Sequence, residues 1–599
     1  MRANFVVAAF CAIAAVSCGP SMKSDPYEDL ESIEIEPANA VLTYSGTPVT
    51  QDYKAIGHFK DGSTKEIPDA VFSLDAAGIA LGNMNAAQFE ATGASGGKGG
   101  VVAQAGDLIG ATSVSVVIHN VHIGPGVPAG AENNFPDNPP ASAQSPSVVY
   151  PLEGAVMPAS VKSPDVQWEG SNAAGDLYRV RITAGQFATV DTILAAGPSF
   201  KLDNQLSDQD WRMLVKTAGT GPIQIDVAHW SQATSASGAP PRIVNIVEAN
   251  ITGAIYYWNL GAGSMERIDA TGRGPAIPNP PVRPVDSPPG TGGSRCVACH
   301  SVSKDGRYLS GSLWGGALEG AVFDMSNPLV RTADPAPTLS PVVQGQSYTQ
   351  LFTTFNHDAS RLMVNIGTSL HVIDPATGAA VTTSGTPLPT SGAAHPAWSP
   401  DGSAVAYVAN VTAGGSPAGW AVDYDRGDLV VIPSSAGDTF GAPTTLVASA
   451  SVDPAFVAPS WPSFSPDSQW VVYGAGANSR GQNGTTTYPG SLFIVNKSGG
   501  PTVRLDTACG GARLCYLPNF SPYGQNDQYF WVIYYSFRDY GNALAGTKGT
   551  GRRQMWITAI DKSKLAQGID PSAPSYWVPD QDTQTANMSA FWALPPPIQ

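Results

Sequence analysis

A turn followed by an apolar strand recurs five times between residues 303 and 561 of this 599-residue chain. The copies are SKDGRYLSGS (from 303), NHDASRLMVNI (from 356), SPDGSAVAYVA (from 399), SPDSQWVVYGA (from 465) and SPYGQNDQYFWVIYY (from 521). A second apolar strand follows each: AVFDM, LHVID, WAVDYD, LFIVN and MWITAID. The first four copies share an Asp, and the spacings of 53, 43 and 66 residues between these Asp residues suit, on average, a unit of four strands. The series predicts several small antiparallel sheets.

The turns of the SPDG type resemble those of TolB-like β-propellers, and the likeness covers residues 251–599. Two segments lie outside the five copies: AIYYWNLGAGSMERI (254–268) resembles the later strands of a blade, and SYWVPDQDTQTANMSAFW (575–592) resembles strands with no blade after them. Because an unpaired sheet edge is a liability, we expect these segments to share one blade. The resemblance therefore implies a six-bladed β-propeller whose closure brings the C-terminal segment near residues 296–300.

Two β-rich segments precede the propeller. Residues 34–125 alternate apolar and polar side chains, and GHFKDGSTKEIPDAVFSLD within them resembles a group 2 bacterial immunoglobulin-like domain. A Pro- and Gly-rich linker (126–145) leads to a second β-rich block (146–250), whose strands resemble a fibronectin-type sandwich. Within it, Asp208, Asp210 and Trp211 predict a capped helical turn rather than a metal site. The expected fold class is all-β: two N-terminal β-sandwich modules followed by the propeller.

Composition supports this class and disfavours one class of partner. Charged residues make up 13% of the chain, with 64 Gly and 51 Pro, which fits short strands and tight turns better than long exposed helices. Lys and Arg number 32 against 48 Asp and Glu, and the basic residues form no run. A nucleic-acid partner is disfavoured, because phosphate binding needs clustered Lys and Arg.

The N-terminus predicts export. Arg2 precedes an apolar run, residues 5–16, that is too short to span a bilayer. Ala15-Val16-Ser17-Cys18 resembles a bacterial lipobox, with Ala15 where that family prefers Leu. The resemblance implies a signal peptide (1–17), lipidation of Cys18, a tether (18–33) and an acyl anchor in the cell envelope. Gly19 is compatible with the outer membrane, and ordinary signal cleavage nearby is the alternative.

The cysteine count agrees with a lipid anchor. Cys11 leaves with the signal, so five cysteines remain in an oxidising compartment, where an odd number normally leaves one thiol unexplained. Lipidation of Cys18 removes the odd one. Cys509 and Cys515 then pair as a predicted disulfide, and Cys296 and Cys299 form a second local pair.

The stretch Cys296-Val-Ala-Cys299-His300 has the spacing that attaches c-type haem. Two thiols separated by two residues match the vinyl groups of haem, and the His directly after them reaches the iron. With Cys and His each near 1% of the chain, a chance match is expected on the order of once in a thousand such sequences. We therefore expect covalent haem c, with Cys296 and Cys299 as attachments and His300 as the proximal ligand.

Three alternatives remain for this motif. The two cysteines can form a structural disulfide, which does not need His300. A zinc site needs a fourth ligand and reduced thiols, and export to an oxidising compartment disfavours reduced thiols. A thioredoxin-type redox pair needs a helix after the first cysteine, whereas here a propeller turn follows. The motif also departs from ordinary cytochromes c, which place it at the start of a helix.

A second axial ligand would decide the chemistry of a bound haem. Met588 is the first candidate, because ring closure is expected to bring it near His300; the alternative is a buried thioether beside Phe591 and Trp592. His357 and His395 come next, and His371 is expected to be an ordinary strand residue.

The whole assembly resembles exported bacterial lipoproteins that combine an immunoglobulin-like spacer, a TolB-like propeller and a CxxCH motif. The first function this implies is electron transfer to a redox partner by an envelope-anchored haem protein. The second is a haem-free propeller that binds an envelope protein or glycan, with CVACH as a structural disulfide. The third is a haem peroxidase. No catalytic residue is predicted, because the Ser, His and Asp residues are too scattered to propose a hydrolytic triad.

Overall fold

The computed structural model describes most of the chain from Tyr27 onward. The described residues are 27, 29–249, 251–262, 264–273, 277–278, 297–313, 319–325, 338–339, 350–413, 424–479, 489–511, 514–524 and 527–595. The predicted signal peptide, Cys18 and Cys296 lie outside them. The described residues divide into two compact units, residues 1–117 (unit 1) and 118–599 (unit 2). The predicted module boundaries stay predictions.

Unit 1 is built from short strands and one short helix. Its elements are β1 (Leu30–Glu36), β2 (Ala40–Tyr44), β3 (Val49–Asp52), β4 (Lys54–Phe59), β5 (Thr64–Glu66), β6 (Val71–Leu74), α1 (Ala76–Leu81), β7 (Gly82–Asn85), β8 (Gln88–Ala91), β9 (Gly97–Ala105) and β10 (Leu108–Ile123), which continues into unit 2. They form the sheets β1-β4-β5, β3-β8-β7 and β10-β9-β6, with β2 paired to β10. Buried and exposed side chains alternate along β9, so one face of that strand forms core.

Residues 118–249 of unit 2, here called the second module, are also mainly β. The elements are a 3₁₀ turn (Ala131–Asn134), β11 (Ser147–Tyr150), β12 (Ala155–Pro158), β13 (Asp165–Glu169), β14 (Leu177–Ala184), β15 (Ala188–Ala195), β16 (Asp203–Gln205), α2 (Asp208–Ala218), β17 (Pro222–Ser231), β18 (Thr234–Gly238) and β19 (Arg242–Val247). The larger sheet has the order β12-β19-β17-β14-β15, and β11-β13-β16 form the smaller one. The predicted helical turn is confirmed, because α2 begins after Ser207, whose hydroxyl accepts a hydrogen bond from the amide of Asp210.

The remaining elements belong to the propeller. They are β20 (Ala254–Asn259), β21 (Ser264–Asp269), β22 (Ile277–Pro278), β23 (Val297–Val302), β24 (Tyr308–Leu313), β25 (Glu319–Asp324), β26 (Thr338–Leu339), β27 (Gln350–Phe355), β28 (Leu362–Ile366), β29 (Ser369–Ile373), β30 (Ser384–Gly385), β31 (Ala394–Trp398), β32 (Ala404–Ala413), β33 (Tyr424–Ser435), β34 (Thr439–Phe440), β35 (Thr444–Val447), β36 (Ala458–Phe464), β37 (Trp470–Gly476), β38 (Gly490–Asn496), β39 (Val503–Arg504), α3 (Asp506–Cys509), β40 (Cys515–Phe520), β41 (Tyr529–Ser536), β42 (Gln554–Asp561), α4 (Lys562–Ala566), β43 (Tyr576–Trp577) and β44 (Asn587–Ala593). Two 3₁₀ turns, Ser449–Ser451 and Pro454–Phe456, lie before β36. The all-β fold class is confirmed.

Consecutive strands pair antiparallel into a ring of small sheets. Within the described residues six sheets follow one another, and their first strands (β23, β27, β31, β36, β40 and β44) contact in that order, with β44 returning to β23. The C-terminal β44 pairs with β20, which joins the two ends of the propeller in one sheet, as predicted. The number of blades in the protein stays a prediction, because residues 279–296, 326–337 and 340–349 lie outside the described residues.

Side-chain hydrogen bonds explain why the repeated turns form. In the turn at residue 399, the Ser399 hydroxyl donates to Asp401 (2.6 Å) and accepts from the amide of Ala404 (3.0 Å). The turns that begin at Ser303 and Ser465 contain the same two bonds. Because these bonds join residues two and five positions apart, the turn is specified locally. Among the described residues, no helix is both long and apolar enough to cross a membrane.

The ring closes over the first repeated turn. The amide of Leu594 donates to the carbonyl of Lys304 (3.0 Å), and the Tyr256 hydroxyl donates to the carbonyl of Leu594 (3.0 Å). Gly306 has φ +71°, and a Cβ there would lie 2.1 Å from the Leu594 carbonyl oxygen. The close approach of the last strand therefore requires glycine at residue 306.

The second module is fixed to the propeller by Asn542. Its side-chain amide donates to the carbonyls of Trp168 (3.1 Å) and Leu202 (2.9 Å), and its backbone amide donates to Gln167 (2.9 Å). Tyr540 packs edge-on against Tyr150 of the second module, with ring centres 4.9 Å apart. These contacts make the second module and the propeller one packed body.

Asp165 is partly buried at this junction, beside a cleft of about 510 Å³. Burial, and then the charge of Asp203, raises the pKa of Asp165 to about 7, although Gln167 and Tyr540 donate hydrogen bonds to it. Below pH 7 the carboxyl group of Asp165 is therefore mainly protonated in the folded protein. The stability that protonation provides is complete below the ordinary pKa of 3.8 and is lost as the pH rises through 7.

The closure contact can be tested by adding one methyl group. Gly306→Ala should lower the free energy of unfolding by roughly 2–4 kcal/mol, because it adds a clash to a left-handed backbone. Gly549→Ala is the matched control: Gly549 has φ +76° and no atom within 4 Å of an added Cβ, so it should lose only about 1 kcal/mol. Urea unfolding followed by Trp fluorescence measures both, and equal losses would contradict the closure.

A second variant tests the junction. Asp165→Asn should be more stable than wild type at pH 8, by at most roughly 4 kcal/mol for a shift of about three pKa units, and equal to it near pH 4. Thermal unfolding from pH 4 to 8 measures the difference. A difference that does not depend on pH would contradict the shifted carboxyl group.

Candidate functional site

The first strands of the six sheets share a bulge. Between the paired residues Ala298 and Ser301, β23 has two residues, Cys299 and His300, opposite one residue of β24. Comparable bulges occur in β27, β31, β36 and β40 and at the β20–β44 pairing. At five of these bulges the first extra residue has a positive φ: Cys299 (50°), His395 (51°), Trp461 (54°), Leu517 (46°) and Ser589 (54°). A non-glycine residue pays an energetic cost in this conformation, and such residues cluster at functional sites.

The bulge side chains meet at the centre of the ring. Cys299, Phe352, His395, Trp461 and Leu517 each lie four residues before the first residue of a repeated turn. All five line one cavity of about 160 Å³, whose wall also includes residues 590–592 of β44. Repetition of one sequence position thus builds a single site from strands that are far apart in the chain.

Aromatic rings form one side of this central cavity. The rings of His395 and Trp461 stack with centres 4.2 Å apart, and Phe352 packs edge-on against each at 4.5 Å. Cys299 packs against this group. The Tyr424 hydroxyl contacts Nδ1 of His395 at 3.1 Å, and burial lowers the pKa of His395 to about 3. The cluster is rigid and uncharged at neutral pH.

His300 is the second residue of the β23 bulge, and it is 3% exposed. Its ring packs edge-on against Phe591 at 5.2 Å. Burial lowers its pKa to about 4, and the backbone of Tyr256 and Ser589 opposes this shift in part. Within the part of the chain that the structure describes, neither ring nitrogen has a partner with hydrogen-bond geometry. His300 is thus a neutral imidazole at neutral pH, with the backbone of Tyr256 and Ser589 beside its ring.

Met588, the predicted axial ligand, lies near the motif but contacts other groups. Its neighbour Ser589 approaches His300. The sulfur of Met588 lies 3.0 Å from Nη1 of Arg553, and its side chain packs against Tyr516. The role of Met588 as a ligand stays a prediction.

Two other candidate histidines, His357 and His395, line the same cavity as His300, and His371 does not. His357 is half exposed and lies 3.9 Å from the carboxylate of Asp358. His371 hydrogen-bonds to the Ser369 hydroxyl (2.9 Å) on a strand, as predicted for an ordinary strand residue. Among the described residues no group of three or more His, Cys, Asp or Glu side chains could hold a metal ion.

The predicted cysteine pairs stay predictions. Cys509 and Cys515 are buried free thiols that hydrogen-bond to each other, which raises the pKa of Cys509 together with burial. Cys299 is not part of a disulfide in the described residues, and its predicted partner Cys296 lies outside them.

Phe352 and Trp461 were not among the predicted site residues. The signal was present in the turn repeats, because aligning the five copies on their turns puts both residues in the column of Cys299. Three members of this column, His395, Trp461 and Leu517, are followed by Pro.

Comparison with known proteins yields only distant structural likenesses. No protein-family model and no curated protein matches the chain. The Agrobacterium tumefaciens structure assigned as TolB is 14% identical, with a TM-score of 0.29 over 58% of this chain and 99% of that one. The Cps50 (Swd1) β-propeller domain of Myceliophteria thermophila is 12% identical, with a TM-score of 0.26 over 52% and 89%. Scores this low carry no functional argument, and the propeller fold rests on the sheets described above.

Proposed function

We propose that the chain is an envelope-anchored binding protein whose propeller holds a small ligand in its central cavity. The observation that carries this proposal is the convergence of five repeat-equivalent side chains, four of them in a strained backbone conformation, around about 160 Å³ of space. An apolar protein cavity of about 150 Å³ is known to take up benzene or xenon. The predicted protein or glycan ligand remains possible at other surfaces, but the cavity is too small for either.

In this proposal the N-terminal segment anchors the protein in the cell envelope. Cys18 carries the lipid, residues 18–33 form the tether, and acyl chains hold the protein in the outer membrane.

The second candidate function is the predicted c-type haem protein, and His300 favours it. A neutral imidazole is the form that ligates iron, and burial keeps His300 neutral at neutral pH. When bound, haem would supply one-electron chemistry, while Phe591 would hold the His300 ring and burial would exclude water.

The space around Cys299 does not fit a haem. The central cavity, about 160 Å³, falls below the 300–1,000 Å³ usual for pockets that hold larger ligands. Cys299 also packs directly against Phe352. The neutral imidazole of His300 therefore agrees with the haem hypothesis, but the space around Cys299 is too small for a haem. For this reason the small-ligand binding protein is the first proposal.

Benzene tests the binding function. Wild-type protein should bind benzene, seen as a rise in melting temperature that grows with benzene concentration. Leu517→Trp should weaken binding at least tenfold by filling the cavity, since the equivalent position of another repeat already holds Trp461. Leu544→Trp, at a 52% exposed site, is the control and should bind like wild type. Absence of benzene binding to the wild type would overturn the proposal.

Covalent haem tests the second candidate. The protein is exported from a host that matures cytochromes c and is then denatured. Retained haem that disappears in Cys299→Ser but not in Cys509→Ser would support the haem protein and displace the first proposal. A colourless product would exclude haem. If haem is retained, the reduced spectrum with and without carbon monoxide separates an electron carrier from a peroxidase with an open iron site.

A further inference from the structure

His395 is held in one orientation at the wall of the central cavity. Its ring stacks on Trp461 with centres 4.2 Å apart, and Phe352 packs edge-on against it at 4.5 Å. The Tyr424 hydroxyl lies 3.1 Å from Nδ1 and is itself fixed by a hydrogen bond to the carbonyl of Pro459 (2.6 Å). The backbone of His395 has a positive φ of 51°, a costly conformation that clusters at functional sites. The imidazole is therefore fixed before any ligand arrives.

The second ring nitrogen of His395 is open to the cavity. Its Nε2 has no hydrogen-bond partner within the described residues, and it is not one of the polar atoms that are sealed from solvent. The side chain is buried, and its ring neighbours Trp461, Phe352 and Tyr424 cover most of it. Because His395 lines the cavity, the surface that Nε2 retains faces this space.

Several other polar side chains of the wall are committed to bonds within the protein. The hydroxyls of Ser301 and Thr353 bond to each other at 2.7 Å. The hydroxyl of Ser463 accepts a hydrogen bond from the amide of Phe520 (3.0 Å). The ring nitrogens of His300 have almost no accessible surface, so a ligand does not reach them. Nε2 of His395 is therefore the buried ring nitrogen that a ligand can reach.

The state of the imidazole decides which group it recognises. Burial lowers the pKa of His395 to about 3, so the ring is uncharged at neutral pH. A neutral imidazole has one donor and one acceptor nitrogen, and the bond between Tyr424 and Nδ1 decides which is which. A hydroxyl group both donates and accepts, so it pairs with Nε2 in either tautomer. His357 also lines the cavity, but it is half exposed, and water competes there for its nitrogens.

We propose that the central cavity selects small molecules that carry a hydroxyl group, an alcohol or a phenol, and that Nε2 of His395 binds this hydroxyl. This inference rests on the proposed function, because it names the class of ligand for the same cavity. The apolar part of the ligand packs against Phe352 and Leu517, which line the same space. The proposal predicts that phenol binds more tightly than benzene, a ring of the same size without the hydroxyl.

The test compares both probes on the wild type and on His395→Phe. This substitution keeps an aromatic ring beside Trp461 and removes both ring nitrogens. Titration calorimetry measures the affinities, and benzene reports the change of shape, so the ratio of phenol to benzene affinity isolates the hydrogen bond. This ratio should fall on the order of tenfold in His395→Phe. His371→Phe makes the same exchange on β29, outside the cavity, and should leave the ratio unchanged.

The outcomes separate the two claims. If both probes bind and the ratio is the same in wild type and His395→Phe, the inference is overturned while the binding function stands. If neither probe binds the wild type, the proposed function itself fails. A wild-type crystal soaked in phenol covers the case in which His395→Phe does not fold. The phenol oxygen should lie within about 3.2 Å of Nε2, and phenol in the cavity with its oxygen elsewhere would overturn the inference.

Discussion

The pairing of β44 with β20 is the interaction on which the propeller depends. It joins strands that are more than 320 residues apart in sequence and makes the last strand of the chain the first strand of a sheet that begins near residue 254. Without this pairing, β20 would expose an unpaired edge, and the central cavity would lack one wall. The contact of Leu594 with Lys304 and the requirement for Gly306 are local consequences of the same closure.

Closure of the ring brings the bulges of the first strands together. A bulge in one strand only bends that strand, but bulges at the same position in successive first strands bring their extra residues to one axis. Cys299, His395 and Trp461 thus meet although they lie dozens of residues apart. The cost of holding such residues at positive φ is distributed over several strands and is offset by the packing of the sheets around them. The cavity is therefore a property of the ring rather than of any single repeat.

The turns and the closing pair could be predicted from the sequence because their causes are local or topological. A Ser hydroxyl and an Asp carboxylate two residues apart specify the turn, and two strands left over after the five repeats had no other partners. The helical turn after Ser207 was predictable for the same local reason. The direction of the Met588 side chain was not, because it depends on Arg553 and Tyr516 from another part of the ring. The CVACH motif showed which atoms could bind haem, but the space around Cys299 is set by Phe352 and Trp461, which only the fold brings there.

The two candidate functions use the same atoms and therefore exclude one another at Cys299. A crystal of the exported, full-length protein pressurised with xenon tests the central claim most directly, since xenon enters apolar cavities of this size. If the propeller holds a small ligand in its central cavity, we expect an anomalous xenon peak inside the ring, in contact with Phe352, Trp461 and Leu517. The absence of a peak there, or density for a porphyrin joined to Cys299, would contradict it.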